Sequence, residues 1–158
     1  MSENSNNGDV FCRMISGEIP YVKLWEDNDF MAILDGFPNT LGMTLVITKQ
    51  HCDSYVFDMS DDKYAKLMIA SRKVARILEK GLGIHRVAMV MEGLGVNHVH
   101  IKLYPLHGLK HKYHMKGSRK RESVKSYRGY LTTAMGPKAD YEELKRLGER
   151  ILKNAGEK

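Results

Sequence analysis

Two imidazoles and an ammonium recur at every second position of one short stretch, as His98, His100 and Lys102 within residues 97–105. In an extended strand, side chains alternate between faces. His98, His100, Lys102 and Tyr104 then share one face, about 6–7 Å from one position to the next at the usual strand rise. Val99, Ile101 and Leu103 line the other face and suit a core. Imidazole titrates near neutrality, so it can attack as a neutral base or bind a metal. Three uses follow. The first is nucleophilic attack on phosphorus, giving a phosphoryl- or nucleotidyl-imidazole. The second is a metal site, for which His-x-His needs further ligands. The third is a solvated polar face on an open sheet. The preceding residues, Glu92-Gly93-Leu94-Gly95-Val96, contain two glycines that let backbone N–H groups approach a phosphate. Turn and strand together favour phosphate chemistry.

Such a strand needs a scaffold. Residues 10–17 read as a short helical turn ended by Gly17, with Pro20 soon after. Residues 23–27 and 30–35 form a strand pair around Asn28-Asp29, and 36–41 are a Gly/Pro/Asn loop. Residues 43–47 give a third strand and 87–92 a fourth. Between them, Ser60 caps a helix with one broad apolar face, including Leu67, Val74 and Leu78, for which Gly81 supplies the stop. The strand carrying the histidines runs from residue 97 to Pro105. Residues 128–133 are a candidate sixth strand, and Asp140 opens a last amphipathic helix through Leu144, Leu147, Ile151 and Leu152. The fold class is α+β: an antiparallel sheet of five or six strands with two main helices.

The 158 residues suit one domain, residues 10–158, behind a polar tail at 1–9. No apolar run is long enough to span a bilayer, and no secretion segment precedes the domain. Cys12 and Cys52 form no paired pattern, which favours a reducing cytoplasm over a disulfide scaffold. A net charge of +6 points to an anionic partner. Much of that charge sits in a basic loop at 106–128. It reads first as solvated chain, and second as a segment that attracts polyphosphate. Tyr113, Tyr127 and Tyr130 interleave with the charges, which keeps single-stranded nucleic acid as a lesser alternative.

The chain resembles the histidine-triad (HIT) nucleotide hydrolases and transferases. Their motif is His-x-His-x-His on a strand after a Gly-rich turn, and here it reads His98-Val99-His100-Ile101-Lys102. The resemblance runs back through the opening helix, the Trp25-Glu26-Asp27 and Ala32-Ile33-Leu34-Asp35 hairpin, and the segment from Gly42 to Lys49-Gln50-His51. It implies a HIT-like fold and attack by His100 on the α-phosphorus of a purine nucleotide conjugate, with His98 orienting the nucleophile. Asp35 would bind ribose hydroxyls, which a carboxylate suits as an acceptor. Val10, Phe11, Met14 and Ile33 would wall the base, and Gly93, Leu94, Gly95 and Val96 would cradle phosphate. For the four apolar residues, ordinary core is the competing reading. The resemblance also implies a homodimer.

Lys102 departs from the third histidine. It can donate to phosphate and disfavour protonation of His100, but it is no proton shuttle near neutrality unless its pKa falls. The alternative to an enzyme is therefore a weakly active or inactive nucleotide-binding regulatory module. Met43, Thr48 and Met91 also replace usual family residues, and the Gly-rich turn is short. Some bacterial members hold zinc between two N-terminal cysteines and two histidines. The corresponding residues are Asp9, Cys12, His51 and His98, so a site is conceivable. We nevertheless assign no metal or other cofactor from the sequence, and read His51 as structural.

Overall fold

A computed structural model describes residues 8–114 and 135–157. Five strands form one antiparallel sheet: β1 (Lys23–Glu26), β2 (Phe30–Leu34), β3 (Thr44–Thr48), β4 (Val87–Val90) and β5 (His100–Pro105). Their spatial order is β1-β2-β3-β5-β4. The last described strand is thus inserted between β3 and β4, with Val46 opposite Ile101 and Met89 opposite Leu103. The candidate sixth strand and most of the basic loop lie outside the described residues.

Helices α2 (Asp61–Leu82) and α3 (Tyr141–Ala155) cover one face. Leu67, Val74 and Leu78 of α2, with Leu147 and Ile151 of α3, bury Ala32, Val46, Ile101 and Leu103 of the sheet. No helix among the described residues is long and apolar enough to cross a membrane. On the opposite face, among the described residues, lies only the short α1 (Val10–Ile15), whose Phe11 packs with Met31, Ile33, Leu45, Ile47 and Tyr104.

Two boundaries correct the sequence reading. The long helix does not stop at Gly81. It continues to Leu82 and ends on Gly83 in the left-handed region. Gly81 serves helix packing instead: a β-carbon there would lie 2.4 Å from the Ile151 carbonyl oxygen of α3. Asn154 Nδ2 donates to the Gly81 carbonyl at 3.0 Å, fastening the crossing. The second correction concerns the histidine strand, which begins at His100 rather than 97. Upstream, His98 N–H bonds the Val96 carbonyl and Val99 N–H bonds the Cys52 carbonyl, so these residues leave the ladder.

Candidate active site

His100 opens β5 on the α1 side of the sheet and is only 5% exposed. Its Nδ1 lies 2.7 Å from the backbone carbonyl oxygen of His98. A carbonyl can only accept, so Nδ1 carries the proton and Nε2 keeps a free lone pair. Burial pushes the imidazole below its ordinary pKa, and the charge of Lys102 adds to this, against the hydrogen bond to His98. The ring is therefore held neutral and in one tautomer. That is the state a nitrogen nucleophile needs. Phe11 of α1 packs on it, with ring centroids 5.4 Å apart.

His98 is fully buried, so the solvated-face reading of the histidine row fails. Its backbone orients His100, while its side chain serves another cluster. Nε2 lies 2.8 Å from the Thr48 carbonyl oxygen and 3.1 Å from the Thr48 hydroxyl. Nδ1 lies 3.0 Å from Asp9 Oδ2, which is also 3.0 Å from His51 Nδ1. Cys12 Sγ is 3.3 Å from the same carboxylate oxygen, 3.7 Å from His98 Nδ1 and 3.8 Å from His51 Nδ1. Asp9 caps α1, its Oδ1 accepting from Phe11 and Cys12 N–H groups.

Four donor atoms from Asp9, Cys12, His51 and His98 thus lie within 4.8 Å of one another. Burial alone would push the Asp9 carboxyl up, but the Cys12 N–H and His98 hold it well below the usual carboxylate range. The Cys12 thiol is pushed up by burial and by Asp9. His98 meets the Thr48 carbonyl at one nitrogen and an ionised carboxylate at the other, both pure acceptors, yet a neutral imidazole has one N–H. With Nε2–H donating to the Thr48 carbonyl, the Nδ1 lone pair faces the carboxylate, an arrangement that a cation beside Nδ1 satisfies. The donor set, one sulfur, two nitrogens and one oxygen converging within 4.8 Å, fits such a cation. Its role there would be structural, tying α1 to the strand region, because four protein ligands close the coordination sphere.

Asp35 follows β2. Burial raises its carboxyl, against the pull of the Phe37 N–H, which donates to Oδ1 at 2.7 Å, and of the Lys102 charge. Gly93 and Gly95 have φ of +69° and +91°. A β-carbon on Gly93 would also meet the Ser54 carbonyl oxygen at 2.6 Å, so glycine is required twice over. Leu94 projects from the turn, half exposed, while Val96, Val10 and Met14 pack against the cluster containing Phe11 and Ile33. Ile33 is almost wholly core, whereas Val10 and Met14 remain part-exposed. Lys102 Nζ pairs with Glu92.

Several neighbours were not foreseen. Asn97 fixes the turn, its Oδ1 accepting from Ser54 N–H at 3.0 Å and its Nδ2 donating to Asp53 at 2.9 Å. Asn97 heads the histidine stretch, so its position was visible while its partners were not. Thr48 and Glu92 complete the list; the only signal for Glu92 was its place before the glycine turn.

Residues 16–108, more than half of the chain, match the HIT domain family model. A HIT-like protein of Methanocaldococcus jannaschii is 35% identical over 101 residues, covering 61% of this chain and 77% of that protein. An adenosine 5'-monophosphoramidase of Schizosaccharomyces pombe is 32% identical over 102 residues, covering 61% and 72%. Among solved structures, a zinc-bound histidine triad family protein from Mycobacterium smegmatis superposes with a TM-score of 0.60 at 27% identity, covering 91% of this chain and 93% of that one. The five-stranded sheet, the buried histidine pair after a glycine turn and these matches agree: the chain belongs to the HIT domain family.

Proposed function

We propose that the protein is a nucleotidyl hydrolase or transferase acting on an adenylate-type phosphoramidate or dinucleoside polyphosphate. The observation that carries this reading is the 2.7 Å contact from His100 Nδ1 to the His98 carbonyl, which leaves Nε2 as a neutral nucleophile. Nε2 forms a bond to the α-phosphorus as the bond to the leaving group breaks. The leaving group departs with that electron pair and takes a proton from solvent. Water then cleaves the P–N bond, releasing nucleoside monophosphate and restoring the neutral ring. Another acceptor in place of water makes the reaction a transfer. Asp35 accepts from ribose hydroxyls, the backbone of residues 93–96 and Lys102 hold phosphate oxygens, and Phe11, Val10 and Met14 border the base.

The similarity to a monophosphoramidase supports this substrate class. The test is incubation with adenosine phosphoramidate and with diadenosine polyphosphates, monitoring AMP. AMP release is expected; tight AMP binding without turnover would favour the second reading, a nucleotide-binding regulatory module. The observation favouring that alternative is the pairing of Lys102 with Glu92, which occupies the ammonium in place of a phosphate oxygen. A homodimer belongs to the same proposal, supported by β4 lying, among the described residues, at the sheet edge with Met89 exposed. We further infer a structural zinc site at Asp9, Cys12, His51 and His98, supported by the convergence of their donor atoms.

A further inference from the structure

Lys102 stands where its ammonium reaches the nucleophile's surroundings, two residues beyond His100 on the same strand face. Its partner Glu92 leaves the end of β4, whose Val90 lies opposite Lys102 in the sheet. Both side chains are largely buried, with 13% of Lys102 and 14% of Glu92 exposed. The next residue, Gly93, lies beneath the Ser54 carbonyl in a left-handed conformation, which fixes the backbone from which the Glu92 side chain starts. A carboxylate therefore stands beside the turn that the nucleotide reading assigns to phosphate.

We propose that Glu92 is a built-in competitor for Lys102, a carboxylate that an incoming phosphoryl oxygen displaces from the ammonium, so that Glu92 sets how tightly the site holds charged phosphates. This rests on the nucleotide reading above. Carboxylate and phosphoryl oxygens make the same kind of charge-assisted hydrogen bond to an ammonium, so each contact with one weakens the other. A part-buried pair is screened less than a surface pair, so the competition carries weight. The cost falls most heavily on ligands with the greatest negative charge at this position. Glu92 thereby favours substrates whose scissile phosphate carries less charge, such as an amidate or ester, over the free monophosphate product. Product release benefits from the same bias.

The experiment is calorimetric titration of AMP into the wild-type protein, Glu92→Gln, Lys102→Met and the double variant. Glu92→Ala serves as a second probe of the carboxylate, and circular dichroism confirms folding of each. Glu92→Gln and Glu92→Ala are expected to tighten AMP about tenfold at low salt, a gain that shrinks as salt is added. In the Lys102→Met background the gain should fall below about twofold, since the competition runs through the ammonium. A merely structural role for Glu92 would weaken binding instead. Unchanged or weaker AMP affinity in both Glu92 variants overturns the inference. So does an equal gain without Lys102, which would indicate direct repulsion. If neither the wild type nor Glu92→Gln binds AMP, the nucleotide reading itself fails and takes this inference with it.

Discussion

The ring of His100 is anchored to the backbone of His98, Nδ1 to carbonyl oxygen at 2.7 Å, while the ring of His98 is held by Asp9 and Thr48. One residue thus serves two places with two different parts. Replacing each histidine should separate them. His100→Ala is expected to lower AMP release from adenosine phosphoramidate by roughly 10³-fold or more, as for loss of a nucleophile. His98→Ala keeps the carbonyl and leaves a buried cavity, so it should cost about 2–4 kcal/mol of stability. Its kcat should fall by less than about tenfold once the folded fraction is allowed for. Denaturant melts and steady-state kinetics on both variants check the split.

Asp35 gives a pH signature. Burial raises its carboxyl, so on acidification it takes up a proton earlier than an ordinary aspartate near pH 3.9. Only the ionised form accepts from both ribose hydroxyls. AMP affinity should therefore be full above the raised pKa and fall as the pH drops through it. The AMP phosphate also titrates, near pH 6, so the informative quantity is the ratio to 2',3'-dideoxy-AMP, which shares that phosphate. The ratio should collapse in acid. In Asp35→Asn it should be lower by about tenfold at neutral pH and flat with pH. Equilibrium titrations from pH 4 to 8 measure it.

Much of this was legible in the sequence. Alternation at residues 100–104 placed Ile101 and Leu103 in the core and His100 opposite it, because a strand leaves no other choice. Local patterns were blind to what distant chain decides. The two glycines at 81 and 83 look alike to a helix-stop rule, yet α3 passes over the first, so only the second ends the helix. Asp9 and His98 meet across 89 positions, and only the family resemblance, not the residues near either one, brought them together. Glu92 and Lys102 are ten residues apart, and their meeting depends on β4 and β5 pairing as neighbours.

Gly81→Ala tests that helix crossing. In an exposed helix the change stabilises by about 1 kcal/mol through propensity. Here the added carbon meets the Ile151 backbone at 2.4 Å, so α3 must shift. A net loss of roughly 1–3 kcal/mol is expected, read as a lower melting temperature.

The donor cluster predicts metal-dependent stability. Zinc at about 100 times its Kd should add roughly 2.7 kcal/mol to the folded state. Chelator should remove that increment. Cys12→Ser, Asp9→Asn and His51→Ala should each reduce it, while Cys52→Ser, outside the cluster, should leave it intact. Thermal melts with and without zinc, and metal content after dialysis, provide the measurement.

The central position of β5 carries a consequence for how the chain is assembled. During synthesis β1, β2 and β3 emerge first and can pair as a meander, while β4 has no neighbour until β5 follows it out. Until then β3 presents an open edge, the kind of surface on which chains aggregate. The strand that brings in His100 also closes that edge on both sides. Ile101 and Leu103 are thus the keystone of the sheet as well as the backing of the nucleophile. Truncating either should produce insoluble protein at high temperature before any chemistry is measured.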